Sequence, residues 1–254
     1  AMAKPLKPVR FPDKFLWGAA TSGHQTEGNN VNSDFWVAEH VKPTFFAEPS
    51  GDATNSLELW PRDLDLVKSL GLNSYRFGIE WSRIEPEPGQ FSIAMLDHYK
   101  AMLEGFRARG LTSMVTFSHW TAPRWFAGRG GWDNPDAVQL FAQFSDRAAR
   151  HVAPYMDYAV TLNEPNPLVG SFEPPRPERI RKLLDDTMAA AAKAVGSDRF
   201  AMANIGIKDA DAYNRRLLEA HRAAKAAIKA ARSTLPVGVT LAMPDDQEAG
   251  PNSV

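Results

Sequence analysis

Four short apolar runs in this chain of 254 residues end in side chains that can bind a polar ligand or move a proton. Gln25 and Glu27 follow residues 15–21. Arg76 lies inside 74–79, with Glu80 and Arg83 just after it. His119 and Trp120 follow 113–118. Asn163 and Glu164 follow 158–162, where Pro165 stops the run. A carboxyl group in partly apolar surroundings keeps its proton to higher pH and can donate it near neutrality. Glu164 is therefore a candidate general acid, although the same context suits an ion-paired structural glutamate. An arginine in an apolar strand is costly to bury without a carboxylate partner. Arg76 thus either holds a catalytic carboxylate ionised or pairs structurally with Glu80 or Glu164. His119 suits a base, a metal ligand or a hydrogen-bond donor to substrate.

Other chemistries find less support. The six histidines show no metal-ligating spacing. Residues 128–131 are glycine-rich but lack the lysine and serine of a phosphate-binding loop. Neither Ser22 nor Ser118 lies in a G-x-S-x-G turn. Cysteine is absent, which excludes disulfide frameworks, thiolate metal sites and cysteine nucleophiles. Neither a metal nor any other cofactor is expected. Lysine plus arginine total 29 against 30 acidic residues, a net charge of -1 that argues against nucleic-acid or anionic-membrane partners. The basic run 176–182 contains Glu178 and reads as a solvated helix face. No apolar stretch approaches the roughly 20 residues of a membrane span. Residues 1–10 are short, basic and followed by no apolar run, unlike a secretory signal. Ala1 ahead of Met2 reads as a cloning scar, and a cytoplasmic protein is expected. The chain has 7 Trp and 14 Phe, many beside glycine, proline or histidine. Trp17, Trp81, Trp120, Trp125 and Trp132 fit either core packing or a cleft that stacks sugar rings.

The elements that must position these groups alternate. Helical periodicity runs through 57–70, where Leu57, Trp60, Leu64, Val67 and Leu70 share a face ended by Gly71. It recurs over 93–109, ended by Gly110, and after Asn134-Pro135, which reads as an N-cap with proline at the first helical position. Further helices are expected over 176–193 and 212–231. Strands are expected over 15–21, 74–79, 113–118, 158–162 and 237–242. Strand–helix–strand alternation implies a parallel sheet with crossover helices, in a doubly wound sheet or a (β/α)8 barrel. In either, the candidate residues gather on the C-terminal rim. Five strands are too few for a whole barrel. Residues 1–254 read as a single domain, with 244–254 a loop or frayed end.

Four segments resemble glycoside hydrolase family 1, the β-glucosidase family. They are F-L-W-G-A-A-T-S-G-H-Q-T-E-G from Phe15, Y-R-F-G-I-E-W-S-R-I from Tyr75, T-F-S-H-W-T-A-P-R-W from Thr116 and T-L-N-E-P-N from Thr161. L-L-E-A-H-R-A-A from Leu217 is similar to a later helix of the family. The resemblance implies a retaining β-glycosidase on a (β/α)8 TIM barrel, of which this chain supplies about the first five βα units. It implies Glu164 as general acid/base and Asn163 as a contact to the sugar 2-hydroxyl. Gln25, His119 and Trp120 would contact the other hydroxyls, and Arg76 would sit beside the nucleophilic carboxylate. The Glu-Asn-Gly motif expected around that nucleophile is absent. A C-terminal part of the barrel, or self-association, would then have to complete the β-glycoside site. The alternative is a non-catalytic sugar-binding half-barrel.

Overall fold

The computed structural model describes residues 10–166 and 177–243. Five parallel strands form one sheet in sequential order: β1 (Gly18–Ala20), β2 (Ser74–Gly78), β3 (Thr112–Ser118), β4 (Tyr158–Asn163) and β5 (Val237–Thr240). Each connection crosses through a helix: α3 (Ser56–Ser69), α5 (Ile93–Ala108), α7 (Ala137–Val152) and α9 (Ala210–Ala231). The shorter helices α1 (Gly23–Thr26), α2 (Asp34–His40), α4 (Trp81–Ile84) and α6 (Arg124–Gly128) lie in the connections, as does the longer α8 (Glu178–Val195). Both candidate architectures have parallel strands, but only a barrel of this kind keeps them in unbroken chain order. The arrangement is a partial (β/α)8 barrel. The segment 244–254 and the start of the basic run at Arg176 lie outside the described residues.

Apolar periodicity explains the crossover helices. Leu64 and Val67 of α3, and Leu96, Tyr99, Leu103 and Phe106 of α5, are buried against the sheet. Leu70 lies past the end of α3 and is exposed instead. Gly71 and Gly110 follow their helices with φ of 75° and 62°, values that suit residues without a Cβ. The start of α7 differs from the sequence expectation. Asn134 accepts a hydrogen bond from Asp136 N at 2.9 Å, a local turn that delays the helix to Ala137. The first strand is also shorter than expected. Trp17 N donates to the Asn73 side chain at 2.8 Å rather than to a strand backbone, so pairing starts only at Gly18.

The main core lies between the sheet and α5, α7 and α9. Trp81 at its centre stacks on Phe144, with centroids 5.1 Å apart. A second cluster under α2, α6 and α8 contains Ala38, Ala127, Met188 and Phe200. Among the described residues β1 and β5 are each paired on one side only. Phe11, Phe15 and Trp17 pack on one another near β1 yet stay substantially exposed, and Leu241 and Met243 project beyond β5. Open parallel edges flanked by apolar side chains are surfaces that recruit a covering element.

Candidate active site

Parallel strands bring the ends of β2, β4 and β5 to one rim. Tyr75 and Phe77 pack against Phe106 on the helix side of the sheet. Strand alternation therefore turns Arg76 to the inner face. There its Nη1 donates to Asn163 Oδ1 at 2.9 Å and to Thr240 Oγ1 at 3.1 Å. Thr240 Oγ1 also donates to Asn163 Oδ1, at 3.0 Å, closing a triangle across three strands. Burial pushes the Arg76 guanidinium below its ordinary pKa, and the charge of Glu164 opposes that. Of the two readings the sequence left for Arg76, a catalytic carboxylate partner or a structural pair with Glu80 or Glu164, the described residues show no ion pair of the second kind. Instead the hydrogen bonds of Arg76 go to neutral acceptors, and Glu80 is committed elsewhere: its Oε2 accepts from Asn30 Nδ2 at 2.7 Å and from Thr121 Oγ1 at 2.9 Å.

Glu164 stands next in the chain after Asn163, half-buried, with φ of 48°. A non-glycine residue in this region carries strain of about 1–3 kcal/mol, sustained only by its surroundings. Its amide donates to Thr240 O at 2.9 Å, which extends the β4–β5 pairing past the strand end and fixes the turn. Trp120 lies on the same rim, 43% exposed, and its Nε1 donates to Asn163 O at 3.2 Å. His119 is pushed down to about 4 by burial and by Arg76, so its ring is neutral at neutral pH. Its buried Nδ1 has no hydrogen-bond partner among the described residues. A cavity of about 70 Å³ beside Glu164 is lined by Trp120, Asn163, Pro165, Asn204 and Tyr213, among others.

The structure thus joins Arg76, His119, Trp120, Asn163 and Glu164 in one neighbourhood. Gln25 stands on the neighbouring β1 end, exposed, where it accepts from Ser22 Oγ at 2.7 Å and shares no hydrogen bond with the other five. The remaining polar residues of the rim motifs lie beneath it. Glu27 is buried, accepting from Arg83 Nε at 2.7 Å and from the Tyr99 hydroxyl at 2.9 Å. Burial and the neighbouring Glu80 raise its pKa. Of the aromatic residues, Trp81 is core, Trp132 is buried and also lines the cavity beside Glu164, and Trp17 is at the opposite end of the sheet from the rim. Among the described residues no group of His, Asp and Glu side chains has the arrangement of a metal site, and no helix is long and apolar enough to cross a membrane.

The family model for glycosyl hydrolase family 1 matches residues 7–195. The chain belongs to that family. The β-glucosidase of Agrobacterium sp. (strain ATCC 21400) is 33% identical over 164 residues, which make up 62% of this chain and 36% of that protein. A solved apo β-glucosidase superposes with a TM-score of 0.86 at 41% identity, covering 94% of this chain and 59% of that one. A crystallised β-glycosidase gives 0.81 at 45% identity, covering 91% and 56%. The chain therefore spans well under two thirds of the relatives it matches, a coverage that fits an N-terminal part of the family 1 barrel.

Two participants escaped sequence reasoning. Thr240 completes the Arg76–Asn163 triangle but sits in no family motif, and only its place at the end of the fifth strand could have flagged it. Asp34 lies in no apolar run. It is nonetheless fully buried and bonded to Ala122, two residues after Trp120.

Proposed function

We propose that this chain supplies the acid/base half of a retaining β-glycosidase site. Glu164 is the acid/base, Asn163 binds the 2-hydroxyl of the sugar, and Gln25, His119 and Trp120 contact its remaining hydroxyls. The nucleophilic carboxylate comes from strands that continue the barrel beyond β5, and Arg76 lies next to it. The observation that carries this reading is the placement of Glu164. It sits in a strained turn at the C-terminal rim, beside an arginine whose hydrogen bonds are spent on neutral groups. Such an arginine keeps its charge available to a carboxylate arriving from the open side of the sheet.

In the first step Glu164 gives its proton to the glycosidic oxygen while the partner carboxylate attacks the anomeric carbon, and the aglycone leaves as an alcohol. In the second, Glu164 takes a proton from water, whose oxygen attacks the same carbon and releases the carboxylate. The net configuration is retained. Two carboxyl groups about 5–5.5 Å apart serve this sequence. The exposed residues at β1 and β5 support a completing C-terminal part, or a second copy, as the partner that covers both edges.

The test is leaving-group dependence in the completed barrel. Glu164→Gln is expected to slow glycosides of poor leaving groups far more than those of good ones, since only the poor ones need protonation. Equal losses for both remove Glu164 from the acid/base role.

A further inference from the structure

The turn that carries Trp120 is strained, and buried carboxyl groups hold the residues that follow it. Trp120 has φ of 71°, and Thr121 N donates to His119 O at 2.9 Å, which closes a three-residue turn of the rare positive-φ kind. Such a backbone persists only where its surroundings over-determine it. Thr121 Oγ1 donates to Glu80 Oε2 at 2.9 Å. Ala122 N donates to Asp34 Oδ1 at 3.0 Å, and Asp34 N donates back to Ala122 O at 2.9 Å. Both residues after Trp120 are therefore tied to the interior.

Glu80 is itself fixed from several directions. Its backbone N donates to the Tyr99 hydroxyl at 3.1 Å, and that hydroxyl donates to Glu27. Asn30, which donates to Glu80 Oε2, accepts in turn from Ser82 Oγ at 2.7 Å. The other end of the rim rests on the same carboxylate. A Cβ at Gly23 would lie 2.5 Å from Glu80 Oε1, so α1, with Gln25 two residues on, is seated directly against it. One buried side chain thus touches the segments carrying Trp120 and Gln25, which belong to different βα connections.

We propose that Glu80 is a positioning residue that sets Trp120 through Thr121 and seats the Gln25 segment through Gly23. That Trp120 and Gln25 are substrate contacts rests on the glycosidase reading; the linkage itself does not. A carboxylate fits this post because one oxygen takes two donors while the other faces the Gly23 backbone. Glutamine keeps an acceptor of the same reach, whereas alanine keeps none.

Fluorine NMR of the full chain labelled with fluorotryptophan reads the linkage, with the Trp120 resonance assigned by its loss in Trp120→Phe. Glu80→Ala and Thr121→Val are each expected to move that resonance by more than its linewidth. Glu80→Gln is expected to leave it near the wild-type position, and the resonance of Trp17, at the opposite end of the sheet, should stay in place throughout. A Trp120 resonance unmoved in Thr121→Val, or moved as far by Glu80→Gln as by Glu80→Ala, overturns the proposal. Thr121→Val removes a single hydroxyl, so it carries the test if Glu80→Ala does not fold. Unmoved resonances in a protein that hydrolyses glycosides reject the positioning role alone. Shifted resonances in a completed barrel without glycosidase activity reject the glycosidase reading and leave the linkage standing.

Discussion

Asp34 makes the folded protein sensitive to pH in a direction opposite to that of most carboxylates. It is fully buried; its Oδ1 accepts from Phe35 N at 2.8 Å and from Ala122 N at 3.0 Å, while Oδ2 has no partner among the described residues. Burial pushes its pKa up to about 7, against the two backbone hydrogen bonds and His24, which favour the ion. An unfolded aspartate titrates near about 3.9. Between those values the folded chain holds a proton that the unfolded chain has released. The contribution of Asp34 to stability is therefore fully present below about pH 4 and is lost as pH rises towards 7, at about 1.4 kcal/mol per pH unit. Asp34→Asn keeps the Oδ1 acceptor and never ionises. Glu27, Glu80, His24, Glu39 and Arg83, the charged groups of the same buried cluster, remain in both proteins. Urea unfolding followed by circular dichroism at pH 5, 6 and 7 is the assay. The variant should gain about 2–3 kcal/mol relative to wild type between pH 5 and 7. Stability curves that run parallel over this range refute the reasoning.

Three further predictions are independent of that one. Nitrogen NMR of the His119 imidazole should show a neutral ring throughout pH 5–8, because burial and Arg76 hold its pKa at about 4; Arg76→Gln should raise that pKa, and a wild-type midpoint above pH 6 would contradict the placement. Phe144 is fully buried against Trp81, Phe117 and Phe141; Phe144→Ala should cost about 3–5 kcal/mol in urea unfolding, and a loss below about 1 kcal/mol would show that this cluster is not the core. Gly28 has φ of 80° and would place a Cβ 2.1 Å from Asp52 O; Gly28→Ala should destabilise by more than about 1 kcal/mol, and a neutral result would show that the 28–52 approach is looser than described.

The strands β2, β3 and β4 and the crossover helices were legible because each buries apolar residues in a regular pattern. Periodicity in 57–70 and 93–109 and the apolar runs at 74–79, 113–118 and 158–162 locate them to within a residue or two. The short helices of the rim were not legible. A helix of four residues such as α1 or α4 has no period to read, and its position is set by contacts from elsewhere in the chain. The site divides along the same line. Arg76, Asn163 and Glu164 could be expected to lie together because strand ends in a parallel sheet converge. The neutral partners of Arg76 were not legible, because a charge in an apolar strand suggests a carboxylate, whereas the acceptors Asn163 and Thr240 lie 87 and 164 positions away along the chain. Glu27, Glu80 and Arg83 follow strands as rim residues do, yet their side chains turn inward beneath the rim, where Glu27 and Arg83 pair with each other and Glu80 accepts from Asn30 and Thr121. Sequence order does not distinguish these two fates; burial does.

The central claim is that Glu164 moves the proton in a double displacement. Its most direct test is azide rescue of Glu164→Ala in the completed barrel, with dinitrophenyl β-glucoside as substrate. That leaving group departs without protonation, so under a double displacement the glycosyl-enzyme would still form, and azide needs no general base to attack it. The account predicts that azide restores turnover and that the product is the β-configured glycosyl azide. No acceleration by azide, or an α-configured product, would contradict it.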